Sequence, residues 1–397
     1  MLPAYDPRIP AHRSQPLSLL GPLREAVPMA AARAIGGQMI LRFHDLQDAL
    51  SDLRLGNARI RSYAAYLRAR DENAGPIVDS LNRWMVFNDP PRQTELRLMV
   101  AKTFGIRNMR RIEDDVRTLV RRHIDTFASE QSTDLLDALA VPLPTRVIAR
   151  LLGLPEADAP MLKRWSDEIA LFVGTSLDVA DRRLRAESAV LEMRAYLEAQ
   201  AESGRPQGLL AVMLEAELDG HRVTPGEAAD IALGLAFAGH ETTTHLLGNG
   251  IRNLLLHGCW PSLCDGSLSA ADAIEECLRF EGPVNAVARV VREPHDRFGV
   301  RLEPGDRVFL MLGAANRDPR RFADPDTFRP DRRDHKHLAF GFGPHFCLGA
   351  LLARLESRIA LEELAARFPR LALLPNPPEW MDSLVLRGLT SLPVSLR

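Results

Sequence analysis

The sequence predicts a predominantly helical α+β protein, one domain over residues 1–397, and three observations carry that expectation. From about residue 90 to 280, apolar residues recur at helical spacing, as in Val116, Leu119, Val120, Ile124 and Phe127. After about residue 284 the period shortens to strand-like alternation. No Ser/Gly or Pro-rich linker, low-complexity tract or internal repeat divides the chain into modules. With 46% of its residues hydrophobic, a chain of 397 can bury a large core without covalent help. Its four cysteines, Cys259, Cys264, Cys277 and Cys347, are too few for a disulfide framework and suit a reducing cytoplasm.

Each element then has a local reason. Met39 to Arg42 reads as a strand near the N-terminus. Pro90-Pro91 opens a helix on which Gln93 and Arg97 fall one turn apart. Loops are expected at Gly204 to Gly208 and Asp219 to His221. Thr224-Pro225-Gly226-Glu227 has the form of a capping box with Pro at the first helical position, and no stop signal follows until His257-Gly258. A helix of some thirty residues would be ~50 Å long. It is apolar on nearly all sides, so it belongs in the interior, while Asp230, Glu241 and Arg252 argue against a membrane span. Val287, Arg289 and Val291 alternate as a strand, and the turn Pro304-Gly305-Asp306 reads as joining Val300 and Leu302 to Val308 and Leu310 in a hairpin. Leu348 to Phe368 is the last helix.

Charge excludes some functions. Fifty Lys plus Arg against fifty-two Asp plus Glu leave −2, so no overall basic field draws the chain to nucleic acid or anionic lipid. The first thirty residues lack a basic start followed by an apolar run, so neither export nor a membrane anchor is expected.

Two segments carry chemistry. In Phe340-Gly-Phe-Gly-Pro-His-Phe-Cys-Leu-Gly349, Cys347 sits between glycines directly before a helix. Free N–H groups and the positive helix end there favour a thiolate, lowering the cysteine pKa and making it a metal ligand. Gly343 and Gly349 let backbone approach a flat, bulky partner. Taken alone, a lone cysteine in a glycine turn reads first as a structural core residue. In Ala238-Gly239-His240-Glu241-Thr242-Thr243-Thr244-His245, a polar cluster interrupts an apolar helix. Small Ala238 and Gly239 leave room, a back-bonding threonine opens a notch for O₂ and water, and Glu241 can feed it protons. Read alone, the cluster is a helix face meeting polar neighbours, and His240 and His245 are neighbours, not ligands. Cys259 and Cys264 beside His257 lack a second ligand pair for zinc. No flavin-binding glycine fingerprint occurs, so no reductase is built in.

The first segment resembles the haem-ligating loop of cytochromes P450, with Phe340, Gly343, Cys347 and Gly349 at the family's positions. The second resembles its oxygen-activating helix, with Glu241 as the acid and Thr242 as the alcohol. Ile274-Glu-Glu-Cys-Leu-Arg-Phe280 resembles the family's Glu-x-x-Arg through Glu276 and Arg279, and Arg332 matches the arginine that joins them. The resemblance runs from Gly37 to Leu396 and implies the cytochrome P450 fold, a long central helix with small β-sheets. It further implies haem b on Cys347, with Ala238 and Gly239 against it and Gln93, Arg97, Arg289 and His345 toward its propionates. Gln93 and Glu95 depart from the commoner His and Arg, which puts the Gln93 contact in question.

The implied reaction is monooxygenation with O₂ as co-substrate. Its electrons would come from NAD(P)H through a ferredoxin reductase and a ferredoxin docking near Arg107, Arg110, Arg111, Arg333, Lys336 and Arg354. The loop from Arg61 to Trp84, with Leu235, Ala238, Val284, Asn285, Ala286, Val287, Leu384 and Val385, would line a pocket for a predominantly apolar small molecule or secondary metabolite, free or tethered to a carrier protein. The competing expectations are a peroxide-driven oxygenase and a non-catalytic haem-thiolate sensor.

Overall fold

The helix from Pro225 to Leu256 spans 32 residues, and most of the helical body packs on it. Its start is the expected capping box: Thr224 Oγ1 accepts from the Glu227 amide at 3.3 Å, and the Glu227 carboxylate accepts from the Thr224 amide at 3.0 Å. The computed structural model describes residues 4–60, 64–65, 69, 75–173, 180–375 and 379–397. Around the long helix lie Pro142–Leu152, Ala159–Val173, Ala180–Glu202, Ala270–Glu281 and Ala350–Arg367. The helix Ile106–Phe127 turns Val116, Leu119, Val120, Ile124 and Phe127 inward, as their spacing requires. It packs on Ala350–Arg367.

One position on the long helix must stay small. A Cβ on Gly234 would lie 2.8 Å from the indole of Trp84, which is buried, stacks on Phe87 and meets Phe237 at a tilt. Nearer the start of the same helix, Asp230 is fully buried. It is held by Arg83, from the segment ahead of Trp84, and by Nε of Arg194 at 3.3 Å, from Ala180–Glu202.

The sheets flank the helices. The largest has the order Met29–Ala31, Gln38–Ile40, Arg307–Leu310, Val287–Val291, Leu55–Gly56, with only the Gln38–Ile40 and Arg307–Leu310 pairing parallel. Ala372–Leu373, Pro393–Ser395 and Ser132–Asp134 form a second sheet. The expected hairpin between Val300–Leu302 and Val308–Leu310 is corrected. The turn forms, with Gly305 at φ 96° and the Asp306 amide on the Glu303 carbonyl. The strands beside it separate, because both edges of Arg307–Leu310 are occupied by other strands. Val300–Leu302 pairs back onto His295–Arg297 across Phe298 and Gly299, both left-handed, as a two-residue hairpin turn demands. Among the described residues no helix is long and apolar enough to cross a membrane.

Candidate active site

The cysteine segment is a tight fold of backbone ahead of Ala350–Arg367. Gly341 and Gly343 take φ of 71° and 72°, the Cys347 amide donates to the Phe340 carbonyl at 2.9 Å, and the Phe346 amide to Gly343 at 3.0 Å. At Gly343 the φ excludes an ordinary side chain, and a Cβ would press on Ser51 Oγ at 3.1 Å. Its glycine is required by the turn and by Ser51, and it does not line the cavity described below. From the helix Arg92–Ala101, Gln93 donates to the Pro344 carbonyl at 2.9 Å and Arg97 to the Phe346 carbonyl at 2.7 Å. Gln93 thus braces the loop through its amide, while Glu95 faces solvent.

This loop forms one wall of a cavity of about 270 Å³, taken as the space open to the centre of a water molecule. Phe340, His345, Cys347 and Gly349 lie on that side, and Leu235, Ala238, Gly239 and Thr242 of the long helix on the other, with Val284 and Val287 closing it. Asn285, Ala286, Leu384 and Val385 lie outside the lining. Asn285 spends its side-chain amide on the Leu384 carbonyl at 3.4 Å, and Ala286 and Leu384 belong to a separate core against Phe309 and Met311. The expected loop between Arg61 and Trp84 lies in large part outside the described residues (61–63, 66–68 and 70–74), but Met85 and Val86 just after it reach the cavity.

Beside the cavity lies positive charge that no ion pair balances among the described residues. Arg289 and Arg59 both donate to the single carbonyl of Ala288 at 3.2 Å, and neither has an ion pair among the described residues. Loss of solvent brings both guanidinium pKa values down to about 10. His345 beside them is driven down to about 4, chiefly by burial and then by Arg289, and its Nε2 is buried without a partner among the described residues. The nearby Asp89 is already engaged by the amides of Asn57 and Ala58. Buried cations short of acceptors beside an apolar slot are the complement of a flat apolar group bearing two carboxylates, so the residues present fit haem. Sequence reasoning missed Arg59, which stands in no motif.

For Cys347 the expectation of a lowered pKa is corrected. Burial raises it, outweighing the Gly349 amide and the charges of Arg97 and Arg354. The turn supplies the donors, but a thiol enclosed in protein loses more solvation than one amide and two distant cations restore.

On the long helix, Thr242 Oγ1 donates back to the Ala238 carbonyl at 3.0 Å, and Thr243 to Gly239 at 3.1 Å. Glu241 is buried and does not line the cavity. Its Oε1 is 2.9 Å from His240 Nε2 and 3.2 Å from Lys163 Nζ, and its Oε2 is 3.6 Å from His245 Nε2. Burial alone would raise its pKa, but the His240 contact and the charge of Lys163 hold it well below the usual carboxylate range. Lys163 comes from Ala159–Val173, and no sequence pattern singled it out.

Glu276, Arg279 and Arg332 form one buried network. Arg279 grips the Glu276 carboxylate through two bonds of 2.7 and 2.8 Å, and Arg332 joins at 3.1 Å. Their remaining donors reach the carbonyls of Asn316, Pro325, Thr327, Ala323 and Asp324. The Asn316 side chain in turn accepts from the Leu338 amide just ahead of Phe340 at 2.8 Å, which ties the network to the cysteine segment.

Residues 270–387 match the family model described as Cytochrome P450. The chain is 39% identical over 328 residues to the cytochrome P450 monooxygenase PikC of Streptomyces venezuelae, covering 80% of this chain and 77% of that one. It is 32% identical to 6-deoxyerythronolide B hydroxylase of Saccharopolyspora erythraea over 94% of both. Among solved structures it is similar to P450BioI in complex with an acyl carrier protein ligated to hexadec-9Z-enoic acid, at a TM-score of 0.88 and 29% identity over 98% of this chain and 99% of that one. At this identity and coverage the chain belongs to the cytochrome P450 family as a monooxygenase of the bacterial kind, in which haem takes a cysteine thiolate and O₂ is the oxidant.

Proposed function

We propose that the protein hydroxylates a predominantly apolar small molecule of secondary metabolism in the cytoplasm, using electrons passed from NAD(P)H through a ferredoxin reductase and a ferredoxin. The observation that carries this reading is that Cys347 and Thr242 line one cavity from opposite walls, with Arg289 in the lining and Arg59 beside it on the same Ala288 carbonyl, neither in an ion pair among the described residues. Cys347 would hold the haem iron, and Arg97, Arg289, His345 and Arg59 its propionates. Bound haem supplies the binding and reduction of O₂, which no side chain of the chain can perform.

The protein's own residues then divide the remaining work. Thr242 has its hydroxyl proton engaged by the Ala238 carbonyl, so its oxygen is left to accept a hydrogen bond from a water in the cavity and fix that water's orientation. Glu241 would relay to that water a proton drawn from the Lys163 side of the helix. Ala238 and Gly239 keep the helix surface low where that water must sit. Leu235, Val284, Val287, Met85 and Val86 exclude bulk water and orient an apolar guest. The class of guest is supported by relatives whose names refer to polyketide biosynthesis and to 6-deoxyerythronolide B, and carrier-tethered delivery by the complex of P450BioI with an acyl carrier protein.

A second groove supports the ferredoxin. It runs between Ile106–Phe127 and Ala350–Arg367, with exposed Ile106 and Leu351 beside Arg110. Arg354, expected in the same patch, is instead spent on Glu275 at 2.6 Å. That leaves Arg107, Arg110, Arg111, Arg333 and Lys336 exposed to meet an acidic surface. The decisive experiment incubates the holoenzyme with ferredoxin, reductase, NAD(P)H and ¹⁸O₂ against macrolactones and fatty acyl chains, free and carrier-bound. One labelled oxygen in a hydroxylated product is expected. Product formed only with hydrogen peroxide, or none with either oxidant, would overturn the reading.

A further inference from the structure

We propose that His240 and Glu241 hold one shared proton between Nε2 and Oε1, and that His240 is the positioning residue that keeps Glu241 supplied with it. The inference rests on the reading of Glu241 as the proton donor beside Thr242, and it follows from counting hydrogens. His240 Nδ1 lies 2.8 Å from the Ala236 carbonyl oxygen. A carbonyl only accepts, so Nδ1 must carry a hydrogen. A neutral ring with its hydrogen on Nδ1 has a bare lone pair at Nε2. Yet Nε2 lies 2.9 Å from Oε1 of Glu241, inside the protein and away from solvent. A bare nitrogen against a bare carboxylate oxygen at that distance is repulsive, so one hydrogen must lie between them. Flipping the ring does not remove the need, because it would set two C–H edges against two buried acceptors.

The surroundings match a proton held in reserve. The charged and titratable groups facing the pair are Lys163 and Asp167 of Ala159–Val173, and His245 one turn along the long helix. Lys163 touches the same Oε1 at 3.2 Å and also meets Asp167, which is half exposed, so the pair has one neighbour in reach of solvent. His245 is buried with neither ring nitrogen hydrogen-bonded among the described residues, in space that a Cβ on Gly388 would fill, as it would lie 2.0 Å from the ring. It stands 3.6 Å from Oε2, where it bounds the second oxygen without competing for the shared hydrogen. The transfer is balanced: one proton passes from His240 Nε2 to Glu241 Oε1, Glu241 releases one toward the water at Thr242, and one returns from solvent by way of Asp167 and Lys163. No electrons move in it.

The test is ¹⁵N-histidine NMR on the diamagnetic ferrous carbon monoxide form at about pH 8, well above the ordinary imidazole range. One ring is expected to carry hydrogen on both nitrogens, to vanish in His240→Gln and to revert to a single hydrogen in Glu241→Gln. A ring at position 240 with a bare Nε2, or one indifferent to Glu241→Gln, overturns the proposal. Alongside, His240→Gln should keep a normal carbon monoxide spectrum, lower the share of reducing equivalents reaching product by about ten-fold or more, and change the solvent isotope effect. Unchanged coupling with an unchanged isotope effect would also overturn it. The carbon monoxide spectrum reports on Cys347 and the ring nitrogens on the shared proton, so a failure of either reading is seen separately.

Discussion

Serine at position 347 would alter the atom offered to iron and leave the backbone of its turn intact, because the bond from the residue's amide to the Phe340 carbonyl does not involve the side chain. Cys347→Ser is therefore expected to fold and to lose the long-wavelength band that thiolate ligation gives the reduced carbon monoxide complex. Retention of the band would place the ligand elsewhere. Thr242→Ala removes an oxygen that faces the cavity and a bond that returns only to its own helix. Haem content and guest affinity should hold while reducing equivalents drain into hydrogen peroxide, and coupling equal to the parent's would refute the assignment. A third residue governs acid stability. Arg146 can only donate, so its 2.9 Å contact to Nε2 of buried His123 requires a neutral ring, and burial followed by the charge of Arg146 takes its pKa down to about 4. The unfolded chain protonates that histidine near pH 6.5, so its contribution is intact above that pH and falls away as pH drops toward 4, by ~2 kcal/mol at pH ~5. Urea midpoints at the two ends of that range should converge in His123→Gln, whose amide oxygen still accepts from Arg146. An equal loss in parent and variant would show that other groups set the slope. At this scale the sequence singled out Cys347, Thr242, Arg97 and Arg289 by motif and position, and the structure brings all four to the lining of one cavity. Arg59 and Lys163 were not singled out, since each acquires its meaning from a segment far away in the chain.

Helices were read more surely than strands, for a reason visible in two cases. The long helix announces itself through a capping box and a run of apolar residues that need no partner to be recognised, and its observed limits, Pro225 and Leu256, sit at those signals. The strand Arg307–Leu310 is equally apolar, but its neighbours come from Gln38–Ile40 and Val287–Val291, and nothing local reveals that pairing. The same contrast applies to Glu276 and Arg279. Their spacing was evident, whereas the fact that both are buried, which turns an ordinary helical pair into an anchor, appears only with Asn316, Pro325 and Arg332 in place. Glu276→Gln leaves two arginines buried around a neutral group and should lower stability by about 3–5 kcal/mol. It should be seen as protein that accumulates with little bound haem and an early thermal transition. A variant with a parental transition would show that the carbonyls alone satisfy Arg279 and Arg332.

Across the whole molecule, the fold class and the helical body follow from periodicity, and the family from ten residues around the cysteine. The guest does not follow from either, because the cavity lining is drawn from segments whose aliphatic side chains resemble any other core. The arrangement around Asp230 has a consequence of its own. Arg83 and Arg194 reach that carboxylate from two separate parts of the chain. If either part swings outward the buried carboxylate loses one of its two partners, so loosening there is favoured when water can take that partner's place. Arg194→Met relaxes half of that latch. It is expected to admit an apolar guest several times faster in stopped-flow mixing, whereas an unaltered entry rate would mean that guests reach the cavity by another door. In the parent protein, then, hydration of a single buried carboxylate would act as the timer on how often the interior is open to visitors.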